Sequence, residues 1–177
     1  MAEFEYEHLI VSIPDYPIPG VVFKDIMPLL GDPDGYAATI KCLADPYRNA
    51  GVTKVVGAEA RGFMVGAPVA HELHAGFVAA RKPGKLPREV ASEEYALEYG
   101  TDSLQVHLDA FGPEDKVLIV DDLIATGGTM VAMIKLIEKL GAELVGFSCL
   151  MELEFLNPRD VVADVTDIEI HSLVKVS

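Results

Sequence analysis

Val117-Leu118-Ile119-Val120-Asp121-Asp122-Leu123-Ile124-Ala125-Thr126-Gly127-Gly128-Thr129-Met130 is the stretch whose reading decides the fold. Its first four residues are all apolar, which suits a parallel strand buried on both faces. Asp121 and Asp122 close that strand and so fall at the carboxyl edge of the sheet, where open α/β folds place their ligands. Gly127 and Gly128 lack a Cβ, so the backbone can turn sharply and approach a ligand closely. Thr126 and Thr129 add hydroxyls, and the unpaired N–H groups of the helix that follows point at any anion held there. Loop amides and a helix start suit a phosphate, whereas the acidic pair suits the vicinal hydroxyls of a ribose, each a hydrogen-bond donor to a carboxylate. The loop reads as a sugar-phosphate cradle. A Gly-Gly turn between strand and helix is also common in α/β proteins, and two adjacent aspartates could instead bind a divalent metal or act as a phosphoacceptor pair.

With 177 residues, half of them apolar, the chain can bury a full core and is not disordered. Its apolar runs are short and broken by Gly, Pro or charge, so none reads as a membrane span. The acidic start, through Glu3, Glu5 and Glu7, lacks the blocks of a signal peptide. Cys42 and Cys149 lie far apart in apolar stretches and read as reduced core residues, which points to the cytosol. A net charge of −14 repels nucleic acid. Yet four of the 14 bases, Arg81, Lys82, Lys85 and Arg88, fall within eight positions. Such a cluster is often a solvated face. On so acidic a chain it also fits a small polyanionic ligand.

No repeat or linker divides the chain, so a single domain over residues 1–177 is expected. A short amphipathic helix is predicted from Glu3 to Val11, and Pro14, Pro17 and Pro19 then force a loop around Asp15 to Gly20. Asp32 and Pro33 begin a helix toward Asn49 and Gly51, which Pro46 should kink or end early. Strands at 52–58, 76–81, 116–120, 143–151 and 168–176 alternate with helices at 62–73 and 130–140. That alternation predicts a parallel sheet covered on both sides. Between Lys82 and Phe111 the period changes to two, through Tyr95, Leu97 and Tyr99 and then Leu104, Val106 and Leu108. An antiparallel hairpin with polar loops, protruding from the sheet, is the reading.

The order strand, Asp-Asp, Ala-Thr-Gly-Gly-Thr, helix is similar to the fingerprint of the type I phosphoribosyltransferases, which bind 5-phosphoribosyl-1-pyrophosphate (PRPP). Further segments resemble one branch of that family, the adenine phosphoribosyltransferases: Asp15 to Ile26, Glu59-Ala60-Arg61-Gly62-Phe63, Arg81 to Pro87, and Tyr95 to Gly100. The resemblance implies a mostly parallel sheet flanked by helices, a flexible hairpin lid over about 84–108, and a small hood built from about 1–30 and the C-terminal part. It implies transfer of phosphoribose to adenine with Mg²⁺ required, the metal held mainly through substrate oxygens and water.

The same resemblance distributes the roles. Asp121 and Asp122 would hold the ribose diol, and Ala125, Thr126, Gly127, Gly128 and Thr129 the 5-phosphate. Glu59 to Gly62 look like the pyrophosphate loop, which in this family often carries a strained or cis peptide. Arg61 would lie near pyrophosphate or base, or else form a surface ion pair. Arg81, Lys82 and Lys85 would reach pyrophosphate, in some members from a neighbouring subunit, which implies a homodimer. Glu98 aligns with a carboxylate that assists proton transfer on the purine, and Tyr99 would pack over the closed site. Val22, Phe23 and Lys24 would read the adenine edge through backbone groups, with Phe23 and Leu153 sandwiching the ring. Two rivals share the sugar-phosphate loop: a phosphoribosyltransferase for hypoxanthine, guanine, xanthine or orotate, and a non-catalytic ligand-sensing regulator that binds nucleic acid. The second needs a basic surface or an added DNA-binding segment, and the sequence offers neither.

Overall fold

A computed structural model describes residues 4–96 and 101–177. Its centre is a five-stranded, all-parallel sheet of β3 (Lys54–Ala58), β4 (Gly76–Ala80), β7 (Lys116–Ile124), β8 (Glu143–Leu153) and β9 (Ile170–Val176), in the order β4-β3-β7-β8-β9. The apolar run in β7 behaves as its composition requires. Val117 and Ile119 pack into one core cluster, while Leu118 and Val120 enter a second on the opposite face. Helices α2 (Pro33–Ala44) and α3 (Arg61–Glu72) cover that second face through Leu43, Val65 and Val69. The first face is covered by α4 (Gly128–Lys139) through Met133, Ile134 and Ile137.

Several boundaries differ from the sequence expectation, each for a local reason. Residues 4–14 do not form one helix: a single 3₁₀ turn at Glu7–Leu9 leads into β1 (Val11–Pro14), which pairs antiparallel with β2 (Val22–Asp25). Val11 and Ile13 stay exposed, so the apolar spacing there served a strand rather than a helix. A short α1 (Met27–Gly31) follows. The Asp32 carboxylate caps α2 by accepting the Gly35 N–H at 2.7 Å. That helix stops at Ala44 and passes into a 3₁₀ turn containing Pro46, the early end a proline without an N–H imposes.

Strand β7 runs past Val120 to Ile124, because β8 continues to pair with it as far as Glu152. Asp121 and Asp122 therefore lie inside the last turns of the strand rather than just after it. The antiparallel hairpin is present as β5 (Val90–Ala96) and β6 (Thr101–His107). It does not stand clear of the body. Ala91, Tyr95, Leu104 and Val106 are buried in the same cluster as α4, and Gln105 exchanges two backbone hydrogen bonds of 2.8 Å with Arg81. One further helix, α5 (Pro158–Ala163), enters from Asn157 in the left-handed conformation and was not foreseen.

Candidate active site

The chain moves outward from β3 to β4 and then returns to the other side of β3 as β7. Winding reverses between β3 and β7, and in open α/β sheets the crevice at the carboxyl ends of such strands is where ligands bind. The β3–β7 ladder covers Lys54 to Val56 against Val117 to Ile119 and ends there, so the turns that follow both strands flank one opening. Close approach of α3 makes the opening compact. A Cβ on Gly62 would lie 2.6 Å from Asp121 Oδ1, and one on Gly57 would lie 2.8 Å from the Gly62 carbonyl oxygen. Only glycine lets the first turn of α3 sit on the acidic pair.

Asp121 and Asp122 are almost fully buried, at 7% and 6% exposure. The Asp122 N–H donates to Asp121 Oδ1 at 2.9 Å. Burial, and then the neighbouring charge of Asp122, push the Asp121 carboxyl well above the usual carboxylate range. Asp122 is partly neutralised, because Arg61 Nε lies 2.9 Å from its Oδ2. Arg61 also stands over the Phe23 ring, 5.8 Å from its centroid. A single guanidinium thus links the acidic pair to strand β2. The Glu59–Ala60 peptide just before it is cis.

The glycine loop has the geometry of an anion cradle. Gly127 is the N-cap of α4 with φ +88°, which a side chain would strain, and it offers no side-chain acceptor to the first helical N–H groups. Those donors remain for an anion, reinforced by the positive end of the helix dipole. A cavity of about 90 Å³ sits against them, lined by Asp121, residues 123–130 and Phe147. A larger cavity, about 440 Å³, lies elsewhere between Phe4, Cys42 and His171. It collects no cations and no run of N–H donors, so volume alone does not locate the chemistry.

The expected cations are mostly paired already. Arg81 Nε donates to Glu59 Oε2 at 2.6 Å. Burial alone would raise the Glu59 carboxyl, yet this hydrogen bond and others outweigh it and leave the group below its usual range. Lys82 bonds Asp102 and, at 2.8 Å, the Tyr95 hydroxyl, so it is tied to the hairpin. Arg88 pairs on the surface with Asp109, 2.5 Å away. Lys85 is exposed and makes no ion pair among the described residues. The basic island is largely internally compensated. Glu98 and Tyr99 lie outside the described residues.

In the hood, Val22 is exposed and Phe23 half-buried, edge-on to Tyr16 with ring centroids 5.2 Å apart. Lys24 Nζ donates to Ser12 Oγ at 2.8 Å, which turns this side chain toward β1. Leu153 ends β8 and packs against the cluster of Phe4, Ile26 and Leu29. Phe23 is joined to the acidic pair through Arg61, whereas Leu153 packs into a core cluster with no contact to Phe23 among those described.

The sequence profile of the phosphoribosyl transferase domain matches residues 31–170. This chain belongs to the phosphoribosyltransferase family. The adenine phosphoribosyltransferases of Shigella flexneri and Escherichia coli K12 are each 57% identical to it over 152 residues, or 85% of this chain and 83% of theirs. Among solved structures, the adenine phosphoribosyltransferase of Thermoanaerobacter pseudethanolicus superposes with a TM-score of 0.91 at 46% identity, covering 97% of this chain and 98% of that one. The Giardia lamblia enzyme, solved with 9-deazaadenine, gives 0.92 at 36% identity over 100% and 99%.

Three features of this phosphoribosyltransferase site were not singled out in its sequence. Glu59 holds Arg81, Asp102 holds Lys82, and the α5 backbone stands over Gly127, where an added Cβ would lie 3.2 Å from the Pro158 carbonyl oxygen. All three are long-range pairings without a local sequence signal. Among the described residues no group of three or more His, Cys, Asp or Glu side chains converges as a metal site. The donors that do face the crevice are oxygen only, Asp121 and Asp122, and Asp122 is shared with Arg61. That set fits a hard cation such as Mg²⁺ that keeps water and substrate oxygens as most of its ligands. No helix among the described residues is long and apolar enough to cross a membrane.

Proposed function

We propose that this protein transfers the 5-phosphoribosyl group of PRPP to adenine, giving AMP and pyrophosphate in purine salvage. The observation that carries the reading is the junction of β7 and α4. There a buried acidic pair stands beside a left-handed glycine N-cap whose helix N–H groups face a small cavity. That junction offers acceptors to a diol and donors to a phosphate side by side, which is the polarity of a 5-phosphorylated ribose. The names of the relatives supply the base.

Asp121 and Asp122 take the ribose hydroxyls, and Ala125, Thr126, Gly127, Gly128 and Thr129 take the 5-phosphate. The C1–O bond to pyrophosphate breaks as N9 of adenine bonds to C1, and the N9 proton passes, with the Glu98 carboxylate assisting, to water. Positive charge gathers on the ribose ring and negative charge on the departing oxygens. The buried carboxylates favour the first; Lys85 favours the second directly, and Arg61, Arg81 and Lys82 do so once pyrophosphate replaces their present partners. Mg²⁺, when bound through pyrophosphate and water, supplies charge neutralisation for the leaving group. Val22, Phe23, Lys24 and Leu153 form the adenine side, and Glu98 and Tyr99 of the hairpin complete the site when it closes as a lid. The protein works as one domain, in the cytoplasm and as a homodimer, and its net charge of −14 keeps it off nucleic acid.

The test is turnover of purified protein with PRPP and Mg²⁺ against adenine, hypoxanthine, guanine and xanthine separately. AMP from adenine, at a kcat/KM at least about a hundredfold above the oxopurines, is expected where a site's hydrogen-bonding groups are matched to one base. Preference for an oxopurine overturns the assignment of the base.

A further inference from the structure

We propose that the ion pair between buried Glu152 and part-exposed Arg159 is a positioning device for the 5-phosphate loop, fixing α5 as the backing beside Gly127. The inference rests on the phosphate-loop reading above. Glu152 is 1% exposed and lies on β8 directly across from Ile124, the residue that leads β7 into the loop, and across from Lys175 of β9. Both its oxygens are used. Arg159 Nε and Nη2 donate to Oε1 and Oε2 at 2.7 Å each, and the buried Ser172 hydroxyl donates to Oε2 at 2.7 Å. Arg159 Nη2 also donates to the Ile170 carbonyl at 3.0 Å, so one guanidinium binds the ends of β8 and β9 together.

Helix α5 has six residues and cannot hold its place by its own hydrogen bonds. Its anchors are Arg159 and the buried Val162. What it presents to the loop is the Pro158 carbonyl oxygen and the Val161 side chain, 3.2 and 3.4 Å from where a Gly127 Cβ would point. Gly127 is the residue whose φ of +88° aims the first amides of α4 at the cavity. The chain of contacts is therefore Glu152 to Arg159, α5 to Gly127, and Gly127 to the amides. An ion pair with one partner 41% exposed adds little stability, so its conspicuous effect here is placement. Arg159 also holds the Glu152 carboxyl below its usual range against the opposing pull of burial.

The experiment measures binding of ribose 5-phosphate and, separately, of adenine by calorimetry, with steady-state kinetics beside it. Arg159→Lys keeps the charge but loses the rigid two-nitrogen fork that holds Glu152 and the Ile170 carbonyl together. It should weaken ribose 5-phosphate and raise KM for PRPP by about tenfold, leaving adenine affinity within about twofold, the split expected of a misplaced phosphate cradle. A folded Arg159→Lys protein with ribose 5-phosphate affinity within about twofold of the parent overturns the proposal, as does equal loss for both ligands. If that variant does not fold, Val161→Ala decides: it keeps the ion pair and removes the packing on Gly127, so phosphate binding must weaken by about threefold or more. Unchanged binding refutes the backing role. Failure of the unmodified protein to bind ribose 5-phosphate brings down the phosphate-loop reading and this inference together, a result distinct from a variant that binds normally.

Discussion

Gly62→Ala puts one methyl group against the acidic pair, and the structure sets the size of the effect. The new Cβ would stand 2.6 Å from Asp121 Oδ1 and 3.2 Å from its Cγ, so the carboxylate must retreat by at least about 0.4 Å to reach even a 3.0 Å contact. Asp121 has nowhere cheap to go, because it is buried and Oδ1 already accepts the Asp122 N–H at 2.9 Å. Overpacking of this kind costs about 1–3 kcal/mol, and replacing a helical glycine by alanine returns about 1 kcal/mol. The net loss of about 0–2 kcal/mol lowers Tm by no more than about 8 °C in a chain of this size. Activity suffers more, since displacement of a substrate-holding group by a fraction of an ångström to one ångström removes about tenfold to a hundredfold from kcat/KM. Gly66→Ala is the control. It lies in the same helix, and its Cβ would meet the Phe77 ring at 3.0 Å rather than the acids. Calorimetry and AMP-forming kinetics on both variants decide the matter. A Gly62→Ala protein with kcat/KM within about twofold of the parent, or one that loses no more activity than Gly66→Ala, refutes the contact argument.

Other perturbations have equally definite outcomes. Asp121 has its carboxyl raised in the folded state, by burial first and by the charge of Asp122 second, so it contributes instability that grows as pH rises from the unfolded value near about 3.9 through the folded one. Asp121→Asn should therefore melt higher than the parent at neutral pH, with the gap closing toward about pH 4. A gap independent of pH in calorimetry between those limits contradicts this, and the same variant should lose most of its activity. Asp102→Asn releases Lys82 from its hairpin partner; a partly exposed pair is worth about 0–1 kcal/mol, so KM for PRPP should fall by up to about fivefold. A rise in KM instead would mean that Lys82 needs Asp102 to be placed. Tyr47→Phe removes a half-buried hydroxyl that donates to the Phe147 carbonyl at 3.0 Å and whose ionisation burial has pushed up to about 12. Loss of about 1–2 kcal/mol in denaturant unfolding is expected, and an unchanged midpoint would show the bond to be unimportant.

The sheet was legible because its central strand is apolar at successive positions, and only burial on both faces accounts for Val117 to Val120. The glycine turn into α4 was legible because Gly127, Gly128 and the flanking threonines follow one another in order along the chain. The place of the acids within β7 was not, since the strand is prolonged by pairing with β8, a contact about thirty residues away in sequence that no local pattern encodes. For the same reason the partners of Arg61, Arg81 and Lys82 were invisible: Asp122, Glu59 and Asp102 are brought to them by topology. The N-terminal apolar spacing at Leu9, Val11 and Ile13 fits a helix or a strand equally, and pairing with β2 decided it. Helix α5 is too short for a periodic signal, and its place depends on the fork of Arg159 onto Glu152.

Crystals of the protein grown with AMP test the central claim most directly. The account predicts the phosphate group within hydrogen-bond distance of the backbone amides between Ala125 and Thr129, and both ribose hydroxyls on the carboxylates of Asp121 and Asp122. Density for the phosphate anywhere else, or a ribose turned away from those two acids, would contradict it.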